Sequence, residues 1–425
     1  MELEFFILVV MVAVFAGGFF FLRLPVAVGL IIASLAGTLV AGEGIPLRQL
    51  VEGMFSFFDL ILIIATAMIY MKVLEHSGVL DTIGRQMTET FYKWPSLLLM
   101  GLMLLIMFPG MITGACATAI FTTGALVAPV MLHIGIPRTQ TTAIIAMGSL
   151  LGMIAPPVCI PAMIIAEGID MPYVGFFWPL FFLTLPVGMF TALTMGRKYV
   201  RKKIDIAALS ASMPPSVYES YGWKLYLPLI ALFVLMTAPK VAPRYIYDPG
   251  LSFMLVGSTA LGIFTGKKVD FWKAVKAAMK DAIPIMGLLL GVGMFIEVMT
   301  LTGARGYFVA TSLAVPKGWL VLAAATTIPA FGIISAFGGS SVLGVPLALA
   351  LLGKDHVLTV SSLALIAGLG EVVPPTAIAA LFSAQLMGLD KHFPVVKRCG
   401  VPAVIILAFG VLMLVWANWI GRLTG

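Results

Sequence analysis

Charge is scarce in this chain. Asp, Glu, Lys and Arg together make up 11% of it while 61% is hydrophobic, whereas a soluble globular domain carries roughly 25% charged residues. A chain so composed cannot present a water-facing surface all round, which excludes a soluble globule. Long polar intervals are missing as well, so no soluble domain interrupts the apolar runs between Phe5 and Trp419. Cysteine is rare: Cys116, Cys159 and Cys399 lie in or beside apolar runs without CxxC spacing, which leaves no disulfide framework and no zinc site. The four histidines, His76, His133, His356 and His392, are too scattered for a metal centre. No HExxH, GxSxG or phosphate-loop string occurs, so an intramembrane protease, an ATP-driven pump or another enzyme finds no support, and no cofactor is called for. The first apolar run has no basic start; Glu2 and Glu4 precede it and Arg23 follows, the reverse of a secretory signal, so it reads as a mature helix.

What the chain has instead is a succession of apolar runs near the twenty or so residues that a roughly 30 Å hydrocarbon core requires. In the first half they cover residues 5–22, 25–41 and 55–71, a hairpin at 95–133, then 141–166 and 174–195. The second half repeats that order at 225–239, 251–265 and 284–300, a hairpin at 319–352, then 358–386 and 400–420. The chain therefore divides into a first membrane repeat over 1–196, a cytoplasmic basic linker over 197–224 and a second membrane repeat over 225–425.

Five crossings plus one re-entrant hairpin per half is an odd count, so the second half enters the membrane with opposite orientation. The net charge of +7 supports this through its distribution and gives no reason to invoke nucleic acid. With Arg197, Lys198, Arg201, Lys202 and Lys203 in the cytoplasm, only Arg48, Lys240, Arg244, Arg305, Lys317, Lys354 and Arg422 of the 26 Lys and Arg fall outside, as the positive-inside rule requires. Residues 267–281, KKVDFWKAVKAAMKD, set Phe271, Trp272, Val275 and Met279 near one face among lysines. They predict an interfacial helix on an anionic leaflet or an ordinary charged connector, and residues 77–93 read the same way.

Two of the runs are broken at their centres by a double proline behind a glycine, Gly152-Met-Ile-Ala-Pro156-Pro157 and Gly370-Glu-Val-Val-Pro374-Pro375. With a shift of 218 residues the copies match at Gly135/Gly353, Thr141/Thr359, Ala146/Ala364, Leu151/Leu369, Gly152/Gly370, both prolines, Ile160/Ile378 and Ala162/Ala380. Broken helices in corresponding positions of two halves are a pointer to a transporter's binding site. The hairpins turn at small, hydroxyl-rich strings, Gly110-Met-Ile-Thr113-Gly114-Ala-Cys116-Ala-Thr118 and Gly332-Ile-Ile-Ser335-Ala-Phe-Gly338-Gly339-Ser340-Ser341. A turn at membrane depth is tolerated only inside protein or beside water. Unwound carbonyls and Ser/Thr oxygens suit Na⁺ while helix N-termini suit an anion. The competing explanation is that these residues simply permit close helix packing.

At this point the chain resembles the large membrane subunit of tripartite ATP-independent periplasmic (TRAP) transporters, within the ion transporter superfamily. The likeness spans nearly the whole length. It rests on Leu24-Pro25-Val26-Ala27, the segment Met71-Lys-Val-Leu-Glu-His-Ser77-Gly78, the Gly-Met-Ile-Thr-Gly tip at 110–114 and the Gly-x-x-x-Pro-Pro break in each half. The resemblance implies an all-α polytopic protein of the bacterial inner membrane, built from two inverted-topology repeats and working as an elevator. It further implies a Na⁺-driven importer of an organic acid, such as a C4-dicarboxylate or sialic acid, with a periplasmic substrate-binding protein and a small four-helix membrane subunit as partners. Carried over by position, the sodium ligands would be Thr113, Gly114, Ser149 and Gly152 in one half and Ser335, Gly338, Gly339 and Gly370 in the other. The substrate carboxylate would lie near Thr118, Ser340, Ser341 and Thr376, beside the paired prolines 156–157 and 374–375.

Two departures from the family pattern stand out. The first tip reads Gly-Ala-Cys-Ala-Thr where a serine-rich string is usual, and Glu371 occupies the position held by Met153 in the first copy. An ionisable residue at membrane depth costs roughly 2.5 kcal/mol or more and is a functional candidate by default. Three roles stay open for Glu371: cation ligand, carrier of a coupling proton, or cap on a helix end. Two other readings of the whole chain are a stand-alone carrier of the same superfamily and an ion channel whose pore the tips would line.

Overall fold

A computed structural model describes residues 2–200, 213–242 and 244–424. Among them the chain is helical throughout, without strands. This is the state in which a backbone in lipid satisfies its own polar groups. The first half runs Glu2–Phe20, Val26–Val40, Leu47–Phe55, Phe58–Ser77, Val79–Phe91, a hairpin of Pro95–Thr113 and Cys116–His133, a broken helix of Arg138–Ile154 and Ile160–Gly168, and Phe177–Gly196. The second runs Leu227–Val241, Leu251–Thr265, Phe271–Leu301, Ala304–Leu313, a hairpin of Lys317–Gly332 and Ala336–Ala350, a broken helix of His356–Val372 and Ile378–Leu386, and Phe393–Thr424. Seven described helices are long and apolar enough to cross a membrane, or eight if the pair Leu47–Phe55 and Phe58–Ser77, bent by 42°, is one span. The chain is a multi-pass membrane protein.

Local structure recurs where the sequence repeats. Each hairpin's return arm begins with four α-helical residues, Cys116–Ala119 and Ala336–Gly339, followed by five in π-helical form, Ile120–Gly124 and Ser340–Gly344. Both double prolines join their helix segments through a cis bond. Gly78 and Gly303 each close a helix at positive φ, +82° and +74°, a conformation in which a Cβ is disfavoured.

The helices pack mainly into two bodies, each with its own core, beside two smaller clusters, one around Tyr70, Ile112, Leu232 and Met254 and one of Val73, Val269 and Ala274. One contiguous core draws its buried apolar members only from residues 98–213 and 320–414. It therefore joins both hairpins, both broken helices and the flanking helices Phe177–Gly196 and Phe393–Thr424. The second core is built from Ile7 to Met68 and from Ala278 to Ala304. Its backbones approach closely through glycine: a Cβ on Gly53 would lie 2.8 Å from the Gly293 carbonyl oxygen, and one on Gly291 would lie 2.8 Å from that of Ala27. Small residues of this kind let helices associate in lipid, where apolar burial alone favours no partner over the acyl chains. Among the described residues, the second core takes from the other body only Ala115, Val158, Ile160, Met163, Ile164, Ile334 and Val342. They come from the hairpin tips, the return arm and the first break, so these parts form the seam between the bodies.

One expectation fails. Residues 271–281 are not a separate interfacial helix or connector but the first third of the 31-residue helix Phe271–Leu301, which is opened by the Asp270 carboxylate accepting from the Lys273 amide at 3.1 Å. The break expected before residue 284 is absent because the buried stripe Ala274, Ala278, Ala282 runs on into Leu288, Leu289 and Val292. Pro284 and Lys280, whose carbonyl the proline leaves unbonded, are both exposed, Pro284 to a cavity described below. Such a proline is tolerated where surroundings re-satisfy the freed group. Val79–Phe91 packs its face Val79, Leu80 and Gly84 inward, with Gly84 against Leu126 and Leu105 of the first hairpin. Of the basic linker, Arg201, Lys202 and Lys203 lie outside the described residues.

Candidate functional site

Each hairpin lies against the broken helix that follows it, backbone to backbone. A Cβ on Gly110 would fall 2.8 Å from the Gly152 carbonyl carbon, and one on Gly152 would strike the Met107 backbone. The Val158 amide, just past the proline pair, donates to the Met111 carbonyl at 3.1 Å. In the second half Gly332 and Gly370 meet in the same way, a Cβ on Gly370 falling 2.5 Å from Gly332, and the Thr376 hydroxyl donates to the Ile333 carbonyl. Glycine at these points is a spatial requirement of the crossing, because the neighbouring atoms are main chain and cannot swing aside.

Most hydroxyls singled out by sequence are buried and donate to nearby carbonyls: Thr113 to Pro109 at 2.7 Å, Ser149 to Ala146 at 2.9 Å, Ser340 to Ala336 at 2.9 Å and Ser341 to Gly338 at 3.0 Å. Thr118 points its hydroxyl at the Met68 sulfur, 3.7 Å away. Donation uses the proton and leaves lone pairs on each oxygen, so these groups keep the chemistry of hard-cation ligands. Gly114 ends its arm at φ +65°, packed under Val158 and Ile160. Gly338 and Gly339 lie in the turn that follows Ser335, whose hydroxyl accepts from the Gly338 amide at 3.4 Å.

Both tips and both breaks reach one cavity of about 520 Å³, within the usual range for small-ligand sites. The first tip supplies Ala115, Cys116 and Ala117, and the second Ile334, Ser335 and Phe337. The breaks supply Met153 and Glu371, together with Ile378 and Phe382 from the segment beyond the second. The opposite wall belongs to the other body, with Pro25, Val26 and Ala27 and with Ile283, Pro284, Ile285, Gly287 and Leu288. Three helix starts, at Cys116, Ala336 and Ile378, lie at or beside the lining, and a helix start carries a positive dipole end; at the second the Ser335 hydroxyl already accepts from the Gly338 amide.

Of the residues predicted from sequence, Ser335 and Glu371 line this cavity. Thr113, Gly114, Ser149 and Gly152 belong to the packed contact of hairpin and break behind it, as does Gly370 on the other side; Gly339 packs on Ile328 and Gly332 within the second hairpin, Gly338 faces Ser335 and Phe15, and Ser340 and Ser341 are buried in the return arm. Thr118 and Thr376 sit near the two tips, and the prolines 156, 157, 374 and 375 form the breaks without lining the cavity. Sequence reasoning missed Cys116, Phe337, Phe382 and the wall from the other body. For Cys116 a signal existed, since it is the departure in the first tip. The wall carried none, because its residues are ordinary apolar ones brought there by packing.

Glu371 is 4% exposed, and its carboxylate accepts from the Cys116 thiol at 3.4 Å, a contact between residues 255 positions apart. Among the described residues it forms no ion pair, and no Lys, Arg or His lines the cavity.

No protein-family model and no characterised protein matches the chain by sequence. Solved structures do match in shape. The YdaH transporter of Alcanivorax borkumensis, whose crystal structure reveals an unusual topology, superposes with a TM-score of 0.63 over 87% of this chain and 87% of its own at 15% identity. MtrF of Neisseria gonorrhoeae, which illuminates a class of antimetabolite efflux pumps, superposes with a TM-score of 0.61 over 88% of this chain and 84% of its own at 11% identity. At these identities the likeness is one of fold.

Proposed function

We propose that this chain is the membrane carrier of an ion-coupled secondary transporter that moves a small organic acid across the bacterial inner membrane. The observation that carries the reading is the convergence of two hairpin tips and two interrupted helices on one cavity at the seam between two separately packed bodies. Two solved structures of similar fold are transporters. In this reading the two halves are inverted repeats. The body with the hairpins and breaks carries the substrate and slides against the other in an elevator motion. Hydroxyl and unwound carbonyl oxygens around Thr113, Ser149, Ser335 and Gly370 hold Na⁺, and the helix starts at the tips take a carboxylate. Binding neutralises the polar tips, and a charge left unpaired opposes the slide. The motif likeness to TRAP carriers adds import, a small four-helix partner and a secreted binding protein.

Uptake of radiolabelled organic acids into sealed proteoliposomes tests this, with the small subunit and the cognate binding protein added. Saturable uptake that rises with an inward Na⁺ gradient is expected. A substrate-independent ion current, with no saturable uptake of any acid, overturns the reading in favour of a channel.

A further inference from the structure

We infer that the transported molecule bears a positively charged nitrogen that pairs with Glu371, so that among organic acids the carrier takes zwitterionic amino compounds in preference to dicarboxylates. The inference rests on the proposed reading of the cavity as the substrate site and deepens it.

The lining is chemically one-sided. Among the described residues, Ser335 and the Cys116 thiol are its only polar side chains besides Glu371, and the rest is aliphatic, glycine, methionine, proline or phenylalanine. A carboxylate that is 4% exposed in such surroundings is costly unless a cation or several donors meet it. What meets it is one thiol at 3.4 Å, a weak donor, together with the backbone amide of Ala336. Among the described residues no cationic side chain meets it, and the cavity is where a cation can enter. A dicarboxylate fits this lining badly. It would set two negative charges beside a third with no cationic side chain on any wall, and like charges in a low-dielectric site oppose one another. An ammonium supplies what the lining lacks. Phe337 and Phe382 share the lining and favour a cation over their faces, while the carboxylate end of the same molecule is left for the helix starts.

The position of Glu371 sharpens the argument. Met153, its counterpart 218 residues earlier, lines the same cavity from the first break, so the two copies offer one charged wall and one apolar wall. A ligand with a charged amine and an apolar body is oriented by that asymmetry, and a symmetric diacid is not.

Binding by the full-length carrier in nanodiscs tests the inference with matched probes: the common L-amino acids, each beside its desamino acid, and succinate. At least one amino acid is expected to bind at least tenfold more tightly than its desamino counterpart, and E371Q is expected to erase that preference. The wild-type comparison stands even if E371Q fails to fold. No preference for any amine over its desamino acid overturns the inference, as does succinate bound best and held more tightly by E371Q. If the wild type binds and moves no probe of either kind, the carrier reading falls with it, whereas tight succinate uptake driven by Na⁺ spares the carrier and removes only the amine.

Discussion

Replacing Gly370 by alanine would put a Cβ 2.5 Å from the Cα, carbonyl carbon and oxygen of Gly332. Ordinary contact begins at 3.4 Å, so the second hairpin and its broken helix must separate by about 1 Å, since the atoms struck are main chain with no rotamer to escape into. Gly370 has no positive φ, so the substitution tests space and not backbone conformation. Overpacking of this kind costs about 1–3 kcal/mol, and the weaker dispersion attraction along the rest of the widened crossing adds to it. The first half supplies an independent copy of the experiment, because a Cβ on Gly152 would strike Met107 in the same way. Gly400, inside a helix with nothing within 4 Å of its would-be Cβ, is the control, where alanine is expected to stabilise by about 0.5–1 kcal/mol. Thermal unfolding of the purified protein in one detergent reads all three. G152A and G370A should both melt below the wild type and G400A at or above it, with uptake abolished in the first two. If G370A melts with G400A, hairpin and break do not touch through their backbones, and the account of how the cavity is assembled is wrong.

Further outcomes follow from other parts of the molecule. Tyr70, fully buried, donates its hydroxyl to the Pro228 carbonyl at 3.1 Å and ties the helix Phe58–Ser77 to Leu227–Val241; Y70F should cost about 1 kcal/mol, read as a lower melting midpoint without altered substrate preference. The three native cysteines are buried, so a membrane-impermeant maleimide has little background. Cysteines placed at Asp170 and Asp390, exposed positions beyond the two broken helices, should then be labelled from opposite sides of the membrane in cells and inverted vesicles. Labelling from one side would remove the antiparallel arrangement of the halves.

The membrane class, the hairpins and the breaks were legible in the sequence because each is written locally. Run length against bilayer thickness, glycine where φ is positive and proline where a helix must stop are decided by neighbours in the chain, and the first hairpin, Pro95–Thr113 with Cys116–His133, lies where those signals put it. The same local reasoning failed at Pro284, since whether a proline interrupts a helix depends on what faces it; there a buried alanine stripe holds the helix on both sides. Glu371 could be recognised as out of place from sequence alone, because a carboxylate at membrane depth is costly anywhere. Its thiol partner from the other half, its seat in a cavity without a cationic side chain and the division of the helices into two cores were fixed only by tertiary packing. Pairings across more than 200 residues leave no periodic trace in a chain where nearly every surface is apolar. In lipid the choice among such surfaces is made by shape and by the few polar groups that must find one another.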